Sequence, residues 1–192
     1  QMITEINSGI DGTNYRAGVI GEIGTSSPIH KREEKILYAA AQASNKTGYS
    51  IIVHVQPPAW LGHEVLNILF NAGARPEKVV LAHMDSTLTS GLAYHREILE
   101  RGVTIMYDGF GTNWDFPSLG LKMPSDEERI SAVVALVDEN YSERLLLSHD
   151  VCTKAHLRLF DGPGYTHLTE NIIPTLAQRG CTRAELDQMT CS

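Results

Sequence analysis

The feature that most constrains this chain is a recurrence. Five short apolar runs, Ala17–Ile23, Ile51–Val55, Val79–Ala82, Val103–Tyr107 and Leu145–Ser148, alternate with amphipathic segments of helical length. Short runs rich in Val, Ile and Leu read as strands buried on both faces, the pattern of a parallel sheet. Helical periodicity predicts Lys31–Thr47 stopped by Gly48, Gly62–Asn71 stopped by Gly73, Leu92–Arg101 stopped by Gly102, and Ser125–Asn140, where Ser125 and Glu128 have capping-box spacing. Beyond the fifth strand, Asn171–Gln178 reads as a helix ended by Gly180, and Thr182–Met189 as the capped start of another. Five βα units with no linker or low-complexity tract predict one α/β domain over residues 1–192. Five units cannot close an eight-stranded barrel, so an open doubly wound sheet and a partial barrel both remain.

Composition narrows the partners. With 42% hydrophobic residues in 192, the chain has ample material for a core. A formal charge of -7 and the lack of Lys/Arg clusters argue against nucleic acid and against an anionic membrane surface, which both reward a basic patch. A small-molecule substrate fits better. Cys152, Cys181 and Cys191 show neither metal-finger spacing nor a disulfide framework, so reduced thiols are expected. No apolar run approaches the roughly 20 residues of a membrane span, and no basic segment followed by an apolar one opens the chain. A soluble, cytoplasmic protein is the expectation. Because the sequence starts at Gln1, a fragment or a processed product is expected too.

In both α/β architectures the active face lies at the C-terminal ends of the strands. Here the five predicted ends carry Glu22, His54, His83, Asp108 and Asp150 in turn. One such residue is ordinarily a hydrogen-bonded loop residue. Five consecutive strands ending in ionisable groups point to a shared partner, since burying each alone is costly. Imidazole and carboxylate together suit Zn, Mn or Fe.

The strings AGVIGEIGTS, TGYSIIVHVQ, VVLAHMDST, MPSDEERI, LLLSHDVCTK and GPGYTHL resemble the phosphotriesterase-related branch of the amidohydrolase superfamily. The match runs in order through nearly the whole chain. The resemblance implies a (β/α)8 TIM barrel, of which these five strands are the fourth to eighth. It also implies that Glu22 is the carboxylate bridging two metals, that His54 and His83 bind the second metal, and that Asp150 ligates the first and handles the proton of the attacking water. The implied activity is metal-dependent hydrolysis of a small ester, lactone, amide or phosphoester by a metal-activated hydroxide. Zinc stands first among the divalent metals, two per complete family site.

Other residues carry lesser expectations. Asp108 matches a position nearer the substrate than the metals, and Asp85 is placed to orient His83 or the substrate. His149, beside Asp150, should point the opposite way along the strand. Lys154, Tyr165 and His167 lie in the loop after the last strand and line a pocket on one reading; for His167 a surface role is as good. His30, His63, His95 and His156 sit on or near helices and receive no catalytic role. Trp60 and Trp114 wall a pocket or cover the barrel mouth. The segment GFGTN lacks the spacing of a nucleotide loop.

Family members place an HxH pair at the end of the first strand, and nothing in Gln1–Tyr15 replaces it. Three absent strands would leave bare edges on the first and last strands here, so the isolated chain is expected to aggregate, to pair with a second copy or a complementing chain, or to rearrange. The end at Ser192 precedes the family's usual asparagine-proline turn. For the chain as it stands, Glu22, His54 and His83 are expected to hold at most one metal. The alternative to an enzyme is a catalytically inactive barrel fragment that serves as a binding or oligomerisation module.

Overall fold

In the computed structural model the described residues are 1–112, 115–116 and 121–191. The strands are β1 (Ile20–Gly24), β2 (Ile51–His54), β3 (Val79–Ala82), β4 (Thr104–Tyr107), the two-residue β5 (Asp115–Phe116) and β6 (Leu121–Lys122), and β7 (Leu145–Leu147). The helices are α1 (Met2–Ser8), α2 (Lys31–Thr47), α3 (Gly62–Asn71), α4 (Ala93–Glu100), α5 (Asp126–Asp138), α6 (Ile173–Gln178) and α7 (Arg183–Cys191). One sheet has the order β1-β2-β3-β4-β7, with parallel β1–β2, β2–β3 and β4–β7 pairs. That order never turns back on itself. A doubly wound sheet reverses at a switch point, so of the two architectures open to the sequence the partial (β/α)8 barrel is the one present. β5 and β6 form a separate antiparallel ribbon.

Burial corrects one expectation. Of the five strands of the main sheet, only β3 is buried at every position. β2, β4 and β7 alternate buried and half-buried residues, and β1 buries Ile20 and Ile23 while Gly21, Glu22 and Gly24 are exposed. Successive side chains point to opposite faces of a strand, and helices such as α2 pack on one of them. Among the described residues no helix is long and apolar enough to cross a membrane.

The chain divides into two compact units, one of Gln1–Ala82 with Glu100–Thr104, the other of His83–Leu99 with Ile105–Ser192. In the first, α2 starts at a capping box. His30 accepts the Arg32 N–H, and Glu33 accepts the His30 N–H at 2.8 Å. Gly48, at φ 78°, ends the helix, and its N–H reaches Ser44 O at 2.7 Å. Between these stops α2 buries Leu37, Ala40, Ala41 and Ala43, and α3 buries Val65, Leu66 and Leu69. Each fully buried leucine contributes roughly 1.5–3 kcal/mol.

In the second unit Ser125 caps α5 as its spacing predicts, with Glu128 returning the hydrogen bond. Ile105 and Tyr107 of β4 stand in register with Leu145 and Leu147 of β7, over a core that includes Ile98, Leu99, Phe110, Val133 and Leu136. Besides the β5–β6 ribbon, which was not expected, two helical elements differ from expectation. α1 was not anticipated, because seven residues with Ile6 alone buried carry too little periodicity to read. A π-helical turn at Leu168–Ile172 precedes α6, so that helical region starts ahead of the expected Asn171.

Candidate metal centre

Glu22 is the third of five residues in β1 rather than its last. Its Oε2 lies 3.9 Å from Nδ1 of His54, the final residue of β2. That closeness follows from the parallel pairing, which sets Gly24 opposite His54. His54 in turn pairs with Ala82, the last residue of β3, and His83 comes next in the chain. There the backbone leaves the strand direction for the left-handed region, at φ 61° and ψ 23°. Glu22, His54 and His83 each offer one ligand atom, and these atoms lie within 4.8 Å of one another.

The donor set fits a divalent metal. One carboxylate and two imidazoles are a ligand combination that zinc takes in catalytic sites. Side-chain exposure falls from 44% at Glu22 and 31% at His54 to 12% at His83. The carboxylate therefore faces solvent while His83 is held largely inside.

What holds His83 is Asp108, directly after β4. Asp108 Oδ1 lies 2.8 Å from His83 Nδ1, and Asp108 Oδ2 accepts the His83 backbone N–H at 3.2 Å. Burial pushes the Asp108 carboxyl up to about 6, against the pull of the hydrogen bond from His83. The orienting role expected of Asp85 thus belongs to Asp108. Asp85, 1% exposed, is turned elsewhere: it binds Arg129 Nε at 2.6 Å and accepts the backbone N–H groups of Asp108 and Gly109 at 3.4 and 3.2 Å. The reason is electrostatic. A carboxylate this buried needs a countercharge, and Arg129 supplies it.

Asp150 belongs to the loop after β7. It lies three residues beyond β7 with φ at 34°, is exposed, and accepts the Cys152 thiol at 3.7 Å. His149 does not share its surroundings, because His149 Nε2 meets Tyr165 O at 2.8 Å. His167 is no free surface group: its Nε2 is 2.7 Å from Asp126 Oδ2, and the other Asp126 oxygen takes Arg129 Nη1 at 3.2 Å and the Gly111 N–H at 2.9 Å. Lys154 and Tyr165 are exposed, as is Trp60; Trp114 lies outside the described residues.

Among the remaining histidines, His30 caps α2, and His156 is buried with its Nδ1 accepting the Cys152 N–H. His95 is fully buried between Tyr107 and Thr87. Sequence reasoning missed Arg129 altogether. Its signal was present, since Arg129 falls on the same helical stripe as Val133 and Leu136, and a charge on such a stripe must find a buried acid.

Comparison with known proteins agrees with this geometry. The model of the phosphotriesterase family matches residues 1–192. The chain is 38% identical over 194 residues to the N-acetyltaurine hydrolase of Danio rerio and 40% identical to that of Mus musculus, in each case with 98% of this chain and 54% of the relative covered. It therefore spans about half the length of the curated relatives it matches. Among solved structures, a resiniferatoxin-binding protein from Rhodobacter sphaeroides superposes with a TM-score of 0.92 at 36% identity, covering 98% of this chain and 52% of that one. The phosphotriesterase homology protein from Escherichia coli, complexed with phosphate in its active site, gives 0.84 at 36% identity, covering 97% and 61%.

Proposed function

Because the chain belongs to the phosphotriesterase family, we propose that it is the C-terminal part of a metal-dependent hydrolase barrel that cleaves a small N-acyl compound. The observation that carries this reading is the convergence of Glu22, His54 and His83. Asp150 joins them as a ligand in the complete site, and zinc is the metal its histidine and carboxylate donors favour. The acyl-amide bond is favoured over lactones and phosphoesters because eight N-acetyltaurine hydrolases match 98% of this chain at 35–40% identity.

The residues divide the work. The cation, when bound, supplies Lewis-acid polarisation of the acyl oxygen and a lowered pKa for the attacking water. His83 commits Nδ1–H to Asp108, which assigns metal ligation to its Nε2 and fixes the ring plane. Glu22 has two oxygens on an exposed strand position, so one carboxylate can reach two cations. Asp150, exposed on its loop, takes the proton of the attacking water and returns it to the departing amine. Water adds across the C–N bond, giving a carboxylate and an amine.

The test is hydrolysis of N-acetyltaurine, a lactone and a phosphotriester by the protein with and without added zinc, repeated with His54→Ala and Asp150→Ala. Preference for the amide and loss of at least 100-fold in both variants is expected. Equal rates in the parent and both variants would sink the reading.

A further inference from the structure

Arg129 is the largest fully buried side chain of the described residues, at 0% exposure. A guanidinium so placed has given up its hydration, and its partners show what it holds in return. Nε binds Asp85 at 2.6 Å, and Nη1 binds Asp126 Oδ1 at 3.2 Å and Thr112 O at 3.3 Å. Nη2 is buried without a hydrogen-bond partner among the described residues, and the other two nitrogens fix the group in place.

The contacts continue in one direction. The Asp85 carboxylate, neutralised by Arg129, accepts the consecutive N–H groups of Asp108 and Gly109. Those two bonds set the backbone where the chain leaves β4. The same Asp108 then sends its carboxylate to His83, one oxygen to the ring and one to the backbone N–H. Gly109 is part of the device: a methyl group there would collide with the Asp85 carboxylate and with Arg129 Nη2. A residue with a side chain would therefore push the Asp108–Gly109 backbone off its two acceptors.

We propose that Arg129 is a positioning residue for His83, acting through Asp85 and the backbone and carboxylate of Asp108. A buried ion pair that only stapled α5 to the chain would have no need to terminate in an imidazole. This one orders three successive links and ends at the nitrogen that decides which side of the ring can bind a cation. The inference rests on the reading of His83 as a metal ligand, but the tautomer it imposes exists without metal.

The experiment exploits that separation. Long-range proton–nitrogen NMR spectra of the metal-free chain identify the His83 ring by its loss in His83→Asn. They should show the Nδ1–H tautomer in the parent. In Arg129→Lys, which keeps the charge but not the planar fork, the ring should populate both tautomers. Zinc affinity, measured by titration calorimetry, should fall roughly 10- to 100-fold, the usual cost of losing a partner that orients a ligand. Should Arg129→Lys fail to fold, Gly109→Ala breaks the same path from the other side and should give the same two changes. A parent-like His83 signature in either folded variant overturns the proposal. A parent that shows the fixed tautomer and loses it in the variants, yet takes up no zinc, leaves the positioning role standing and removes the metal-site reading instead.

Discussion

Asp108 Oδ1 stands 2.8 Å from His83 Nδ1 while its other oxygen takes the His83 backbone N–H, so one buried carboxylate fixes both the ring and the peptide of the same residue. Removing it should cost more than a hydrogen bond. In Asp108→Ala the ring loses its acceptor, and zinc affinity should drop about 10- to 100-fold. Asp108→Asn keeps an acceptor oxygen of the same reach and should lose much less. Calorimetric titration of the two variants against the parent checks the order. Equal affinities in parent and Asp108→Ala would show that the carboxylate does not tune His83.

A second expectation concerns the metal itself. A ligand that binds only the folded state stabilises it by about 2.7 kcal/mol at a hundredfold excess over Kd. For a chain of this size that should raise the melting temperature by roughly 5–10 °C. Zinc should therefore shift the thermal transition of the protein, a chelator should reverse the shift, and His54→Ala or Glu22→Gln should abolish most of it. Differential scanning calorimetry with and without zinc is the measurement. No shift in the parent at any zinc concentration would count against the site.

The parts of this fold that could be read from sequence are those with local punctuation. α2 runs over the expected Lys31–Thr47 because His30 and Gly48 close it at both ends, and β3 over the expected Val79–Ala82 because turn residues bound a fully apolar run. Glu22, His54 and His83 were legible as a set because each lies at or near the C-terminal end of a predicted parallel strand, although Glu22 stands inside β1 and His83 just after β3. What was hidden depended on pairing distant in sequence. His83 and Asp108 are 25 residues apart, Asp85 and Arg129 are 44 apart, and no local pattern chooses between Asp85 and Asp108 as the partner of His83. Only the burial of Arg129 decides it, by claiming Asp85.

The α5 cap gives a test independent of function. Ser125 Oγ accepts the Glu128 N–H at 3.3 Å, and Glu128 Oε2 accepts the Ser125 N–H at 2.7 Å. Ser125→Ala removes one half of this reciprocal pair and should destabilise the protein by about 1 kcal/mol. Because Asp126 and Arg129 sit in the turn that follows, the loss should also appear as faster amide exchange across residues 126–129. Urea unfolding and hydrogen exchange measure the two effects, and an unchanged midpoint would show that the cap is redundant.

His95 should make stability depend on pH. Thr87 Oγ1 donates to Met84 O at 2.8 Å, so it must accept from His95 Nε2 at 3.0 Å, leaving Nδ1 to accept the Tyr107 hydroxyl at 2.7 Å. This arrangement requires neutral imidazole. Burial, foremost, lowers the His95 pKa to about 4, with nearby Arg96 on the same helix adding to the effect and the Thr87 hydrogen bond opposing it. The rings packed on it, Tyr94 and Tyr107, bring no negative charge, and burial holds the Tyr107 hydroxyl well above its ordinary pKa. Since the folded pKa lies below the unfolded value near 6.5, the unfolded chain binds the extra proton between those two values. The contribution is therefore complete above about pH 6.5 and is lost as pH falls towards 4, on the order of 3 kcal/mol in all. Urea unfolding at pH 7 and pH 5 should show the parent losing stability over that interval, and His95→Gln, which has no proton to gain there, should lose measurably less. Identical pH slopes in the two proteins would mean that the imidazole is not held neutral by the fold.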